Sequence, residues 1–67
     1  MNRLFYLNPG ETYSFNFDKT THALRTHVIN FRNFTRMTVW LSDGHKVIER
    51  KYPDGHSEVE IVHNKAR

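Results

Sequence analysis

Residues 36–63 read RMTVWLSDGHKVIERKYPDGHSEVEIVH, and the two Asp-Gly steps within them decide the fold. Asp43-Gly44 and Asp54-Gly55 each lie between runs rich in Val, Ile, Thr and aromatic residues. Asp-Gly in that setting marks a hairpin turn, because glycine enters positive φ freely and aspartate tolerates it. Two hairpins in series make a three-stranded antiparallel meander over residues 36–41, 45–52 and 56–63.

Turn type sets the register. Pro53 pre-sets φ for the first corner of a type I turn, and Gly55 takes the left-handed bulge position, which pairs Tyr52 with His56. The same three-residue reading of Ser42-Asp43-Gly44 pairs Leu41 with His45. Val39, Val47 and Ile61 then align, with Met37, Leu41 and Val59 on the same face. Trp40, Ile48 and Val62 fall on the other face, among Thr38, Lys46, Arg50, Glu58 and Glu60. A two-residue loop would shift each register by one and align Val39, Ile48 and Ile61 instead. The proline favours the bulged turn at 53–55, whereas 42–44 admits both. In either register one face is aliphatic and the other mixed, as in a half-buried antiparallel sheet.

Working outward, residues 3–7 (RLFYL) end at the turn tripeptide Asn8-Pro9-Gly10 and read as a first strand. Residues 11–17 (ETYSFNF) set Tyr13, Phe15 and Phe17 on one side, the alternation of a second strand hairpinned to the first. Residues 18–34 contain neither Gly nor Pro. Leu24, Val28 and Phe31 recur at helical spacing, with Asp18, Thr20 or Thr21 as candidate caps. Residues 26–31 are nevertheless dense in β-branched and aromatic side chains, and strand is the preferred reading. The expected fold is mainly β, a small antiparallel sheet or open barrel of six short strands ending in the three-stranded meander. The alternative is α+β, with one helix around 19–31 packed on the sheet. Either is a single domain spanning 1–67.

A chain of 67 residues buries only about 60% of its unfolded surface. So thin a core invites a second subunit, which makes a homo-oligomer one expectation. There is no cysteine, hence no disulfide and no thiolate metal site, and the composition suits the cytoplasm. No apolar run approaches the roughly 20 residues of a membrane span, so no membrane partner is expected. No signal peptide is visible, and Met1 reads as the start of a short complete product.

The formal charge is +3, and its distribution says more than its size. From residue 19 to residue 42 there is no Asp or Glu, while Lys19, Arg25, Arg32, Arg36, His22 and His27 all occur. An acid-free belt beside a charge-balanced meander points to an anionic partner. Within it, residues 31–36 read FRNFTR and Trp40 follows. Aromatic faces stack unpaired bases, and arginine offers forked donors to phosphate. Arg25, Phe31, Arg32, Phe34, Arg36 and Trp40 are therefore the candidate binding residues, for RNA or single-stranded DNA or for an acidic protein surface. The blander reading of Phe31 and Phe34 is core with solvated arginines beside it.

Other chemistry is less defined. In the bulged register His45 faces His63, a pair able to share a metal ion but without a third ligand, so no metal or other cofactor is expected. A ribonuclease would combine His27, His45 or His56 with Glu49 or Glu58 and use Arg32 or Arg50 on phosphate, yet no spacing identifies such a set. Glu49, Glu58 and Glu60 read as solubilising the outer face. An exposed Trp40 or a sheet edge would equally serve a protein-binding inhibitor or adaptor of the kind phages and mobile elements encode. The expectation is a small, non-enzymatic, regulatory binding module.

Overall fold

The computed structural model describes residues 2–14 and 19–63. Five strands form one antiparallel sheet: β1 (Asn2–Leu7), β2 (Ala23–Asn30), β3 (Thr35–Leu41), β4 (His45–Lys51) and β5 (Ser57–His63). Their spatial order is β1-β5-β4-β3-β2. Strands β2 to β5 are a continuous meander, and β1 returns to pair with β5. Since β1 and β2 lie at opposite edges, the sheet is not closed into a barrel, and the described residues include no helix.

Both Asp-Gly turns adopt the three-residue bulged form. Gly44 N donates to Leu41 O at 3.1 Å and Gly55 N to Tyr52 O at 3.0 Å. Both glycines sit at positive φ, +96° and +99°, where a Cβ would be strained. Each aspartate then accepts a bond from the backbone of the following histidine: Asp43 from His45 N and Asp54 from His56 N, both at 2.9 Å. These side-chain bonds settle the choice that residues 42–44 left open. The register follows, with Val39 opposite Val47 and Val47 opposite Ile61. The aliphatic and mixed faces are as the sequence sorted them, with one exception. Glu49 pairs with Met37 and Val59 and so belongs to the aliphatic face, half-buried rather than solubilising the outer one.

Residues 23–30 form a strand, not the alternative helix. Thr26, Val28 and Ile29 are stiff at χ1 and suit the pleat, and β3 satisfies one side of their backbone. A bulge between Ala23 and Arg25 puts Leu24 out of step. The residues at helical spacing, Leu24, Val28 and Phe31, are all exposed, at 64%, 54% and 43%.

The expected hairpin between residues 3–7 and 11–17 does not form. Asn8-Pro9-Gly10 does turn the chain, with Glu11 N donating to Asn8 O at 3.0 Å and Gly10 at φ +86°. Residues 11–14, however, are not strand, and residues 15–17 lie outside the described segments. β1 pairs instead with β5, from Asn2 opposite Val62 to Leu7 opposite Ser57. That gives β5, which carries the fully buried Val59, a neighbour on each side. The described residues thus form five strands, against the six expected.

With β1 and β2 on opposite edges, their connection has to cross the sheet. Its described part runs over the aliphatic face: Gly10, Glu11, Thr12 and Tyr13 line a cleft of about 250 Å³ with Leu7, Glu49, Lys51 and Ser57. Burial, and secondarily the Glu49 carboxylate, push the Tyr13 hydroxyl above its ordinary 10.0. At the far end His22 N donates to Ser42 Oγ at 3.0 Å, and Ser42 N to His22 O at 2.8 Å. Val47 and Val59 are the buried apolar centre of this face. On the mixed face Thr38 is buried, at 8% exposure, among half-buried neighbours.

Candidate functional site

The mixed face is built from alternate residues of all five strands. Its first row sets Arg25 opposite Trp40 and Trp40 opposite Lys46. Two residues along, His27 opposes Thr38, and Thr38 opposes Ile48. The next row runs Ile29, Arg36, Arg50, Glu58, Tyr6. The register therefore brings Arg25, Arg36 and Trp40 onto one face, as parity within β2 and β3 requires.

Each of the two arginines lies over an aromatic ring. The Arg25 guanidinium is 4.8 Å from the centre of the Trp40 ring, and Arg36 is 5.2 Å from that of Phe31. Such contacts hold the cation by the ring's negative face while its donors stay available. Arg36 and Trp40 are four residues apart on β3, so the two clusters lie roughly 13–14 Å apart. Arg25, Arg36 and Lys46 form no ion pair among the described residues. Arg50, on the same face, is neutralised: its Nε lies 3.2 Å from Glu58 and its Nη2 3.5 Å from Glu60. The face is thus divided, with the cations outside ion pairs on β2, β3 and the start of β4 and the acids on β5. Lys46, which the bulged register sets opposite Trp40, adds a cation to the candidate residues of this face.

Phe31 and Phe34 belong to a row of rings that crosses one end of the sheet. Phe31 stacks on Phe34 at 4.9 Å, Phe34 lies 5.4 Å from Tyr52, Tyr52 stacks on His56 at 4.3 Å, and His56 on Tyr6 at 5.3 Å. Neighbouring rings occupy the faces of Phe34, Tyr52 and His56. Of the end rings, Phe31 has Phe34 on one side and the Arg36 guanidinium on the other, and Tyr6 keeps an outward side; both residues are exposed. Phe34 is thus held between Phe31 and Tyr52. The row could not be read from the sequence, because β1 was assigned the wrong neighbour.

Arg32 stands apart from Arg25 and Arg36. It lies in the β2–β3 turn and, together with the candidates Phe31 and Phe34, lines a groove of about 580 Å³ that opens on the aliphatic side beside Val28, Met37 and Glu49. The three arginines therefore do not emerge as one group. The indole of Trp40 is half-buried under Arg25, neither sealed nor fully open.

His45, His56 and His63 serve the turns and ring stacks. His45 Nδ1 lies 2.8 Å from Asp43 Oδ2, and His56 Nδ1 contacts Asp54. Hydrogen bonds from the histidine, the backbone one foremost, hold both aspartates below the usual carboxylate value. His45 and His63 pair directly, with ring centres 4.3 Å apart and planes inclined by 21°. Near-parallel rings aim their lone pairs side by side rather than at a common point, so the pair does not converge on an ion. Among the described residues no group of three His, Asp or Glu could hold a metal. Of the ribonuclease combinations, the structure brings His56, Glu58 and Arg50 together around Tyr52, which stacks on His56 at 4.3 Å. His27 and Glu49 sit on opposite faces, while Arg50 and Glu58 pair with each other and Tyr52 donates to Glu58 at 3.1 Å.

No helix among the described residues is long and apolar enough to cross a membrane. Comparison with known proteins finds no matching family model, no matching curated protein and no matching solved structure.

Proposed function

We propose that this chain is a small, basic, non-catalytic binding module, regulatory in role, whose partner is RNA or single-stranded DNA. The observation that carries the reading is the pairing of unneutralised cations with rings on one open face: Arg25 on Trp40, Arg36 on Phe31, and Lys46 beside the indole. Arg25, Lys46 and Arg36 would track a phosphate backbone, while the Trp40 ring would stack bases. Exposed bases belong to single strands, and a flat sheet face suits them better than a duplex groove. Catalysis is no part of the reading, because the imidazoles of His45 and His56 are engaged by Asp43, Asp54 and neighbouring rings. A cytoplasmic location accords with a composition free of cysteine.

Fluorescence anisotropy with labelled single-stranded RNA and DNA tests this directly. Loss of one base-stacking ring costs about 1–3 kcal/mol, so Trp40→Ala should weaken binding about 5- to 150-fold. Arg25→Ala and Arg36→Ala should weaken it too, whereas Arg50→Ala, on the same face but already paired, should change it little. Undiminished binding in all three site variants would overturn the reading.

A second reading is an inhibitor or adaptor that binds an acidic protein surface. It is favoured by the half-buried indole flanked by Arg25 and Lys46, the residue chemistry of interface hot spots. A pulldown from lysate separates the two, since a protein partner is retained after nuclease treatment and a nucleic-acid partner is not.

A further inference from the structure

We propose that two copies of this chain join along their β2 edges, antiparallel and centred on Val28, to make one continuous sheet. The inference does not depend on what the mixed face binds. β2 is the longest strand, eight residues, and no strand of the described sheet lies beyond it. Seven of its eight residues are exposed. It contains no Pro, Gly, Lys or acidic residue, the usual devices that keep an edge from pairing. Its bulge, at Leu24, falls outside the stretch considered below.

The hydrogen-bond phase of that edge can be read from the adjoining turn. Phe31 N donates to Phe34 O at 2.8 Å, so Phe31 is a hydrogen-bonded position of the β2–β3 ladder. Alternation along the pair then turns the backbone groups of Arg25, His27 and Ile29 inward and those of Thr26, Val28 and Asn30 outward. A second β2 centred on Val28 sets Val28 against Val28 and Thr26 against Asn30, in both directions. All three outward residues then exchange bonds, about six in total. Centring on His27 would oppose two imidazoles and set Asn30 against the Leu24 bulge. Centring on Ile29 would carry Thr26 past the partner's strand to Arg32.

The side chains agree with the Val28 register. Val28, 54% exposed in the single chain, meets its own copy. On the mixed face Arg25 comes opposite Phe31 of the second copy and His27 opposite its Ile29, so no like charges face each other. The operation is a two-fold axis normal to the sheet. It closes at two copies and puts both mixed faces on the same side. The cation-bearing β2–β3 halves then adjoin across the seam as one surface.

Size-exclusion chromatography with light scattering on the full chain should give about twice the 8.0 kDa chain mass at micromolar concentrations and above. Val28→Pro removes an outward N–H that the β3 ladder does not use, and should return the protein to monomer with its circular dichroism unchanged. Should proline perturb the strand, Val28→Lys gives the same monomer by charge. The chain has no cysteine, so a single one reports the register. Val28→Cys should oxidise to a covalent dimer, since directly opposed residues are about 5.5 Å apart. Thr26→Cys should not, because the two copies of that residue are separated by roughly 13 Å. A monomer at every concentration overturns the proposal. So does a dimer untouched by Val28→Pro and Val28→Lys, or crosslinking through Thr26→Cys in place of Val28→Cys.

Discussion

Gly55 meets two separate constraints. Its φ of +99° is one that side-chain-bearing residues avoid, and a Cβ there would lie 3.1 Å from Pro9 Cβ. Gly10 shares the positive φ, +86°, but has nothing within 4 Å of that position. Left-handed geometry alone costs about 1–2 kcal/mol. Gly10→Ala should lose about that much, and Gly55→Ala should lose more, because the Pro9 ring must also give way. Urea denaturation of the two variants measures the difference directly. Equal losses would show that the turn at 53–55 is not packed on Pro9. Acid titrates the same turns. Asp43 and Asp54 are held below the ordinary carboxylate value of 3.8, chiefly by the backbone N–H of the histidine that follows. Their contribution is therefore complete above that value and lost as pH falls through the lowered one. The melting temperature should drop below about pH 4. Asp54→Asn keeps an acceptor for His56 N without the charge, so its melting temperature should be less sensitive to acid over that range.

At the level of strands, what was legible had a local cause. β3, β4 and β5 were bounded by Asp-Gly turns, and their faces followed from the bulged register. The pairing of β1 with β5 was not legible, because it joins the two ends of the chain and no periodicity encodes it. Alternation through Tyr13 looked like a strand, yet the same aromatic side chain serves a segment that crosses the aliphatic face. Residues 18–34 stayed ambiguous for want of Gly or Pro, and the bulge at Leu24 broke the strand's own alternation. The candidate site was legible in composition but not in grouping: parity gathers Arg25, Arg36 and Trp40, while Arg32, on a turn, escapes it. Two substitutions test the element description. Val59→Ala, at the fully buried centre of β5, should cost roughly 1.5–3 kcal/mol. Arg50→Ala removes the guanidinium that lies against Glu58 and Glu60 and should cost about 1 kcal/mol. Chemical denaturation gives both values, and a Val59→Ala loss no larger than that of Arg50→Ala would contradict the position assigned to the core.

For the molecule as a whole, the described residues form a single sheet with one side crossed by its own chain and the other open. The open side is electrostatically divided, because the acid-free stretch of sequence becomes β2 and β3 while Glu58 and Glu60 sit on β5 and hold Arg50. An anionic strand would therefore be drawn to Arg25, Lys46 and Arg36, and its affinity would reflect released counterions. The most direct measurement is the affinity for a labelled single-stranded RNA as a function of salt. With about three phosphates neutralised, log affinity should fall against log salt with a slope near −2, and Arg36→Ala should make that slope shallower by about 0.7. A slope near zero, or one that Arg25→Ala and Arg36→Ala leave unchanged, would contradict the assignment of this face to nucleic acid.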